Sequence, residues 1–188
     1  MTTCVALLRG VNVGKAKRVA MADLRALVTA AGYGEARTLL NSGNVVFTGA
    51  SHATSDVAAR LEKAIEAHAG FHTHVVVLDS AELAVVVREN SLTQADIASR
   101  LMVAFVQDRQ RLTQVRTLVS QDWGDEAIVV GSQAAYVWAP HSVLESPAYE
   151  AVAARLGTAM TARNWSTVQK LHALVTAGLA PERRRSKA

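Results

Sequence analysis

The sequence predicts an α+β protein built from two similar halves, and three observations lead to this fold class. Short apolar segments with the length of strands alternate with segments whose apolar residues recur at helical spacing. The order strand–helix–strand–strand–helix–strand occurs twice along the 188 residues. Each copy is followed by a further segment with helical periodicity, which predicts an appended helix.

The first copy begins with an apolar run that ends in Arg9 and Gly10, which is typical of a central strand. Gly32 is placed to end the helix that follows, and the turn-forming residues 41–44 (NSGN) predict a hairpin. The predicted elements are a strand at 3–10, a helix at 21–31, strands at 37–40 and 45–48, a helix at 57–68, a strand at 73–78 and an appended helix at 81–88.

The second copy repeats this order. Its first helix is predicted from the spacing of four apolar residues, namely Leu112, Val115, Leu118 and Val119. Its hairpin is predicted to turn at residues 131–133 (GSQ). The predicted elements are a strand at 101–106, a helix at 112–119, strands at 127–130 and 134–138, a helix at 146–156, a short strand at 158–160 and an appended helix at 164–176.

We therefore expect a tandem duplication of ferredoxin-like βαββαβ units, each with an appended helix. The expected domains are residues 1–90 and residues 100–178, joined by a polar stretch that has no strong period. Residues 179–188 are expected to form a basic, disordered tail.

Composition limits the classes of protein to which the chain can belong. No apolar run approaches the ~20 residues that a membrane-spanning helix needs, and no basic segment precedes the first apolar stretch as in a signal peptide. The single cysteine, Cys4, has no partner for a disulfide within the chain. These features predict a cytoplasmic protein without membrane segments, and they do not indicate an oligomeric state.

The net charge of +4 gives little support to nucleic-acid binding by the folded part. Residues 181–188 carry +3 of this charge, which leaves +1 for the rest of the chain. The folded part is therefore predicted to be nearly neutral, and the tail to be a solvated terminus.

Three polar segments identify the family that this sequence resembles. They are residues 8–14 (LRGVNVG), residues 40–47 (LNSGNVVF) and residues 161–171 (TARNWSTVQKL). They are similar to the signature segments of the bacterial family known as domain of unknown function 1697, and the resemblance runs from Thr3 to Leu174. The resemblance implies two ferredoxin-like subdomains and brings no established activity, cofactor or catalytic residue.

Two departures from the family pattern concern charge. Lys15 stands where the family usually has a second glycine, and Pro147 stands where it commonly has a lysine. If that lysine acts on a ligand, this chain has lost the activity or supplies the charge from Lys15 or Lys17. A proline in the first turn of a helix does not disturb the fold.

The loop at residues 10–18 is a candidate anion site. It is not a P-loop, because only three residues separate its glycines and Ala16 follows Lys15. It nevertheless has a flexible backbone, free N–H groups and the cations Lys15, Lys17 and Arg18 before a helix N-terminus, which favours an anion. The alternative is a solvated connector whose glycines only allow the turn.

Arg163 is the leading single candidate for a functional residue, because no structural role for it follows from the sequence. As helix residues, Arg163, Thr167 and Lys170 would share one face, with Asn164 as a helix N-cap. Asn41 and Asn44 suit turn positions with positive φ, and a ligand role is the alternative. The full predicted ligand-binding set is Arg9, Asn12, Lys15, Lys17, Asn41, Ser42, Asn44, Arg163 and Lys170.

Three histidines, His68, His72 and His74, raise the question of a metal site. No cysteine or carboxylate completes a ligand set in the sequence pattern, so no metal is predicted. No catalytic triad order or close carboxylate pair stands out either, so neither a catalytic residue nor a cofactor is predicted, and enzyme activity stays open.

The main functional hypothesis is a pocket for a small anionic ligand, such as a nucleotide or phosphorylated metabolite, in the cleft between the two subdomains. The first alternative is single-stranded nucleic-acid binding, for which the strands offer only Phe47 as a stacking aromatic. The second alternative is a non-enzymatic protein that dimerises or docks a partner through an open sheet face.

Overall fold

The computed structural model describes residues 2–14, 17–49, 52–92 and 97–178. The protein is an α+β structure with two antiparallel four-stranded sheets. The basic tail at 179–188 and part of the expected junction, residues 93–96, lie outside the described residues.

The first unit contains four strands and three helices. Its sheet has the order β2-β3-β1-β4, so that β1 lies in the interior of the sheet as the apolar run predicted. Val5 of β1 is opposite Val46 on one side and Leu78 on the other. The elements are β1 (Thr3–Leu8), α1 (Met21–Ala30), β2 (Gly34–Leu39), β3 (Asn44–Thr48), α2 (Thr54–Ala69), β4 (Val75–Asp79) and α3 (Ser80–Glu89).

The second unit has a sheet of corresponding order, β6-β7-β5-β8. Its regular elements are β5 (Leu101–Val106), β6 (Ala127–Val130), β7 (Ala134–Trp138), α4 (Pro147–Leu156), β8 (Met160–Asn164) and α5 (Trp165–Thr176). Three 3₁₀ segments complete it, at Arg109–Leu118, Val143–Glu145 and Gly157–Ala159.

Several predicted elements of the second unit differ from the structure in type or in their bounds. The segment Arg109–Leu118 is a 3₁₀ helix. Its apolar residues Leu112, Val115 and Leu118 are three apart, so a helix with three residues per turn buries all of them on one side. The last strand runs over Met160–Asn164 rather than 158–160, and the final helix begins one residue later, at Trp165.

Side chains cap both helices that begin beside the later site, and one of these caps, Asn164, was predicted from the sequence. Ser146 is the N-cap of α4, and its Oγ accepts a hydrogen bond from the N–H of Tyr149 at 3.0 Å. Pro147 occupies the first turn of that helix, where a missing N–H is tolerated. Asn164 is the N-cap of α5, and its Oδ1 accepts from the N–H of Thr167 at 2.9 Å. Both helices are therefore fixed at the ends that face the site.

A shared core joins the two units. One face of each sheet packs, together with α3 and α5, into a single apolar cluster that includes Val5, Val46, Phe105 and Tyr136. The opposite face of the first sheet packs on α1 and α2, and that of the second sheet packs on α4 and the segment Arg109–Leu118. Each sheet is thus covered on both faces, which explains why the central strands are apolar throughout rather than alternating.

Among the described residues, no helix is long and apolar enough to cross a bilayer.

Two buried tyrosines provide a matched test of the shared core. The Tyr136 hydroxyl donates to the Val86 carbonyl of α3 at 2.7 Å, whereas the buried Tyr33 hydroxyl has no partner among the described residues. We expect Tyr136→Phe to lower the free energy of unfolding by about 1 kcal/mol, and Tyr33→Phe to leave it unchanged or to raise it slightly. Urea denaturation of both variants measures this, and equal losses would contradict the assignment of the hydrogen bond.

Candidate functional site

The fold brings the three polar sequence segments to one place, at the end of β1 between the two units. Leu8 and Gly10 come from the first segment, Ser42 from the second, and Thr161 and Arg163 from the third. All of them line one cavity of about 580 Å³. The three segments, which supply most of the predicted ligand-binding set, are therefore neighbours in the folded protein.

Arg163 is the centre of this juxtaposition. It lies in β8, not in the final helix as the sequence predicted, and only 8% of its surface is exposed. Its Nε donates to Oδ1 of Asn44. Its Nη2 donates to the carbonyls of Leu8 at 2.8 Å and Ser42 at 3.0 Å. Its Nη1 donates to Thr161 Oγ1 at 2.9 Å and to the Ala162 carbonyl at 2.7 Å. A longer contact joins Nη2 to the Gly43 carbonyl at 3.4 Å. All five N–H groups are therefore engaged, and four of their six acceptors belong to the first unit.

The charge of Arg163 has no acidic partner among the described residues. Its acceptors are neutral carbonyl, amide and hydroxyl oxygens, and the described ion pairs do not include it. Burial lowers the pKa of Arg163 to about 10, and the nearby Tyr149 acts in the opposite direction. The guanidinium is therefore still charged at neutral pH, and it contributes an unneutralised positive charge in a region of low dielectric.

Asn44 is the buried polar partner of this arginine. It is fully buried at the start of β3, and its Nδ2 donates to the Leu39 carbonyl at 2.9 Å and to Ser42 Oγ at 3.0 Å. Asn41 lies in the turn as predicted, whereas Asn44 is the first residue of β3, and neither residue has the positive φ that the prediction allowed for. The left-handed positions of this turn are Leu40 (φ 58°) and Gly43 (φ 72°). Asn44 instead fixes the turn and orients its oxygen toward Arg163.

Asn12 has a structural role in the loop after β1. It adopts a left-handed conformation (φ 58°), and its Oδ1 accepts from the N–H of Val19 at 3.0 Å. Its Nδ2 donates to the carbonyls of Val19 and Asn41, each at 2.8 Å. The side chain of Asn12 thus closes its own loop and ties it to the β2–β3 turn, which fixes one wall of the cavity.

Arg9 and Tyr149 are two further polar side chains that line the cavity and can donate hydrogen bonds. Arg9 Nη1 donates to the Gly157 carbonyl at 3.0 Å and to the Met160 carbonyl, so this residue also crosses between the units. Tyr149 projects from the first turn of α4 into the same cavity. Burial raises the pKa of Tyr149, while the charges of Arg9 and Arg163 act to lower it. The phenol is therefore protonated at neutral pH and can donate a hydrogen bond.

An apolar margin surrounds these polar groups. Val13 and Leu40 are large apolar side chains that are 70% and 54% exposed, and both line the cavity. Met102, Ala153 and Met160 line it as well. The cavity therefore combines two cationic side chains and a phenol with an apolar surface on which a ligand could pack.

Like Asn12, three further described members of the predicted set neither contact Arg163 nor line this cavity. Lys17 lines a neighbouring cavity of about 330 Å³, where its Nζ donates to the His72 carbonyl at 3.1 Å. Lys170 is exposed on α5 and does not share a face with Arg163, because Arg163 belongs to a strand. Asn41 contributes its carbonyl to Asn12, and Lys15 lies outside the described residues.

Tyr149 and Thr161 line the cavity, but neither belongs to the ligand-binding set predicted from the sequence. Thr161 stands inside the third polar segment, so its place in a named segment was the signal that could have identified it. Tyr149 has no comparable signal, because its position depends on how α4 packs beside β8. The proline that replaces the family lysine, Pro147, is exposed and does not line the cavity, whereas Tyr149 of the same helical turn does.

The histidines lie at a different place, on the side of the first unit. The expectation that no carboxylate accompanies them was wrong. Glu62 of α2 lies beside His72 and His74, and the ligand atoms of these three residues are all within 4.8 Å of one another. His68 is not part of this group, and its Nε2 instead lies 3.4 Å from Oδ2 of Asp23.

Comparison with known proteins gives a family and a fold. The sequence model of the family described as "Protein of unknown function (DUF1697)" matches residues 1–136. A search of the curated proteins found no match. Among solved structures, the chain is similar to the conserved bacterial protein SP0830 from Streptococcus pneumoniae, with 24% sequence identity and a TM-score of 0.78 over 94% of this chain and 99% of that one.

The hydrogen bonds of Arg163 predict a large contribution to stability. We expect Arg163→Lys to lower the free energy of unfolding by about 3 kcal/mol, because lysine retains the charge but lacks the planar set of five N–H donors that reaches these acceptors. Lys170→Met, a change to an exposed cation of α5, should alter it by less than about 0.5 kcal/mol. Urea denaturation at pH 7 compares the two variants, and similar midpoints would mean that Arg163 does not hold the units together.

Proposed function

Because the chain belongs to the DUF1697 family, whose description names no function, we propose a function from the geometry of its own cavity. The protein binds a small anionic ligand, such as a nucleotide or a phosphorylated metabolite, in the cleft between its two units. The observation that carries this proposal is the buried charge of Arg163 at the cavity wall, without an acidic partner among the described residues.

A buried cation favours an anion nearby. Removing a charged group from water is costly, and a counter-charge or good hydrogen bonds must offset that cost. Neutral acceptors satisfy the N–H groups of Arg163, but they leave its net charge in place. An anion in the cavity would interact with this charge across a medium of low dielectric, where the attraction is stronger than in water.

The roles of the cavity residues follow from their hydrogen bonds. Arg163 acts through its electrostatic field, because all five of its N–H groups are already engaged. Arg9 uses only Nη1 in the hydrogen bonds to Gly157 and Met160, so its Nε and Nη2 can donate to the ligand. The hydroxyl of Tyr149 supplies a further donor at the same cavity.

The apolar margin indicates a ligand with an apolar portion. The cavity has a volume of about 580 Å³, which falls within the range of about 300–1,000 Å³ that is usual for sites of small molecules. Val13, Leu40 and Met102 offer a surface for a flat or aliphatic group. A nucleotide combines both properties, since its phosphate would meet the cations and its base would pack on the apolar side chains.

As part of the same proposal, the cleft arises where two copies of one structural unit meet. We interpret the two units as copies of one ferredoxin-like βαββαβ unit, with boundaries near residues 1–90 and 100–178. The support is the corresponding strand order of the two sheets and the helix that follows the last strand of each. The 3₁₀ segment that replaces the first helix of the second unit is the main difference between them.

The alternative functions have no comparable support. Phe47, the aromatic residue on which a nucleic-acid interpretation would depend, is fully buried against Tyr33. Partner docking through an open sheet face would need a face that no helix covers, and both faces of each sheet pack against helices.

A ligand screen by thermal denaturation tests the proposal. The panel would include AMP, pyrophosphate, inorganic phosphate and a phosphorylated sugar. A ligand at a hundred times its Kd should stabilise the protein by about 2.7 kcal/mol. We expect Arg9→Met to weaken the binding of such a ligand at least tenfold, because a charge-assisted hydrogen bond is lost.

The matched control is Arg116→Met, which removes an exposed arginine that does not line the cavity. This variant should bind the ligand as the wild type does. A ligand that stabilises all three proteins equally would bind elsewhere, and a panel without any stabilising compound would refute the proposed ligand class.

A further inference from the structure

We propose a second site, on the side of the first unit, that binds a divalent transition-metal ion of the zinc type. Its ligands are Glu62 of α2 and the two histidines that precede β4, His72 and His74. Their ligand atoms all lie within 4.8 Å of one another. The carboxylate Oε1 of Glu62 is 3.5 Å from Nδ1 of His74, and the two imidazole rings are 4.7 Å apart between centroids.

The local chain path explains why these residues meet. Helix α2 ends at Gly70, which adopts a left-handed conformation (φ 73°) and allows the chain to reverse. The returning segment is extended, and the side chain of Thr73 points inward, where its Oγ1 donates to the Arg9 carbonyl at 2.7 Å. Because side chains alternate along an extended chain, His72 and His74 both point outward. Glu62 lies beside them, and its Oε1 accepts from the N–H of Val75 at 2.8 Å.

The chemistry of this group suits zinc. Two imidazoles and one carboxylate form the ligand set of zinc sites that leave a fourth position for water or a substrate. Donors bonded to tetrahedral zinc at ~2.1 Å are about 3.4 Å from one another. The Glu62–His74 pair is already at this spacing. His72 is exposed, so a rotation of its side chain can bring its nitrogen into the same geometry.

The surroundings indicate what would occupy the remaining coordination position. His72 and His74 line the cavity of about 330 Å³ that also contains Arg9 and Lys17. Both cations would favour a negatively charged group on the metal. The site therefore suits a metal ion that holds water, hydroxide or a small anion at its open position. Metal binding by Glu62, His72 and His74 does not require the ligand that is proposed for the cavity at Arg163.

Zinc titration of the untagged full chain tests the proposal. The protein would be treated with a chelator, dialysed, and titrated with Zn²⁺ by isothermal calorimetry. We expect one Zn²⁺ per chain for the wild type, and at least tenfold weaker binding for Glu62→Gln, His72→Ala and His74→Ala. The control is His68→Ala, which removes a histidine of the same helix that pairs with Asp23 instead, and this variant should bind as the wild type does.

The variants are chosen so that loss of binding is separable from loss of folding. Glu62→Gln retains an oxygen that can accept the Val75 N–H, and His72 is exposed, so both variants should melt like the wild type in the absence of metal. Absorption of bound Co²⁺ in the visible range gives a second measure of the same site. Absence of Zn²⁺ binding by the wild type, or equal binding by the three variants, would overturn the proposal.

Discussion

The organisation of the molecule depends on the guanidinium of Arg163. This group lies where the end of β1, the β2–β3 turn and the edge strand β8 come together, and it donates hydrogen bonds to all three. Without a donor at this point, the Ser42 carbonyl would lose this partner, and the Leu8 carbonyl would keep only the longer hydrogen bond from Thr161 Oγ1 at 3.4 Å. Arg163 thus adds directional hydrogen bonds to a junction whose shared core is apolar and non-directional. Other cross-unit hydrogen bonds, such as those of Arg9 and Tyr136, act beside it.

Close approach of the backbone makes this arrangement possible. The Leu8 N–H donates to the Gly43 carbonyl at 2.8 Å, which brings the β2–β3 turn against the end of β1. Gly43 has φ 72°, and a Cβ there would lie 2.5 Å from Cγ2 of Val11 and 2.7 Å from Cβ of Leu8. Only glycine fits both the conformation and the space. The glycine of the second polar segment is therefore as necessary for the cavity as the polar residues around it.

The sequence predicted the order of the strands well, because long apolar runs such as 3–8 and 101–106 have few alternatives. It failed where local patterns are ambiguous. A spacing of three over Leu112–Leu118 suits both helix types, and β8 is a short edge strand with Thr161, Arg163 and Asn164 in five residues. Placing Arg163 on a helix led directly to the wrong association with Lys170. The contacts of Tyr149 and of Glu62 with their clusters depend on packing between elements distant in sequence, which no local pattern encodes.

The engagement of all five N–H groups of Arg163 has a consequence for ligand binding. A side chain that is buried and held by six acceptors would not reorient on ligand binding, so its field is fixed when the protein folds. The ligand that we propose would then meet a preorganised charge, and its association would not have to order that side chain. Arg9 differs, because it is only partly buried and uses one terminal nitrogen in its cross-unit contacts. Arg163 therefore provides a fixed electrostatic field, and Arg9 provides adaptable hydrogen-bond donors. This combination supports the proposal that the cleft is a binding site as well as a junction.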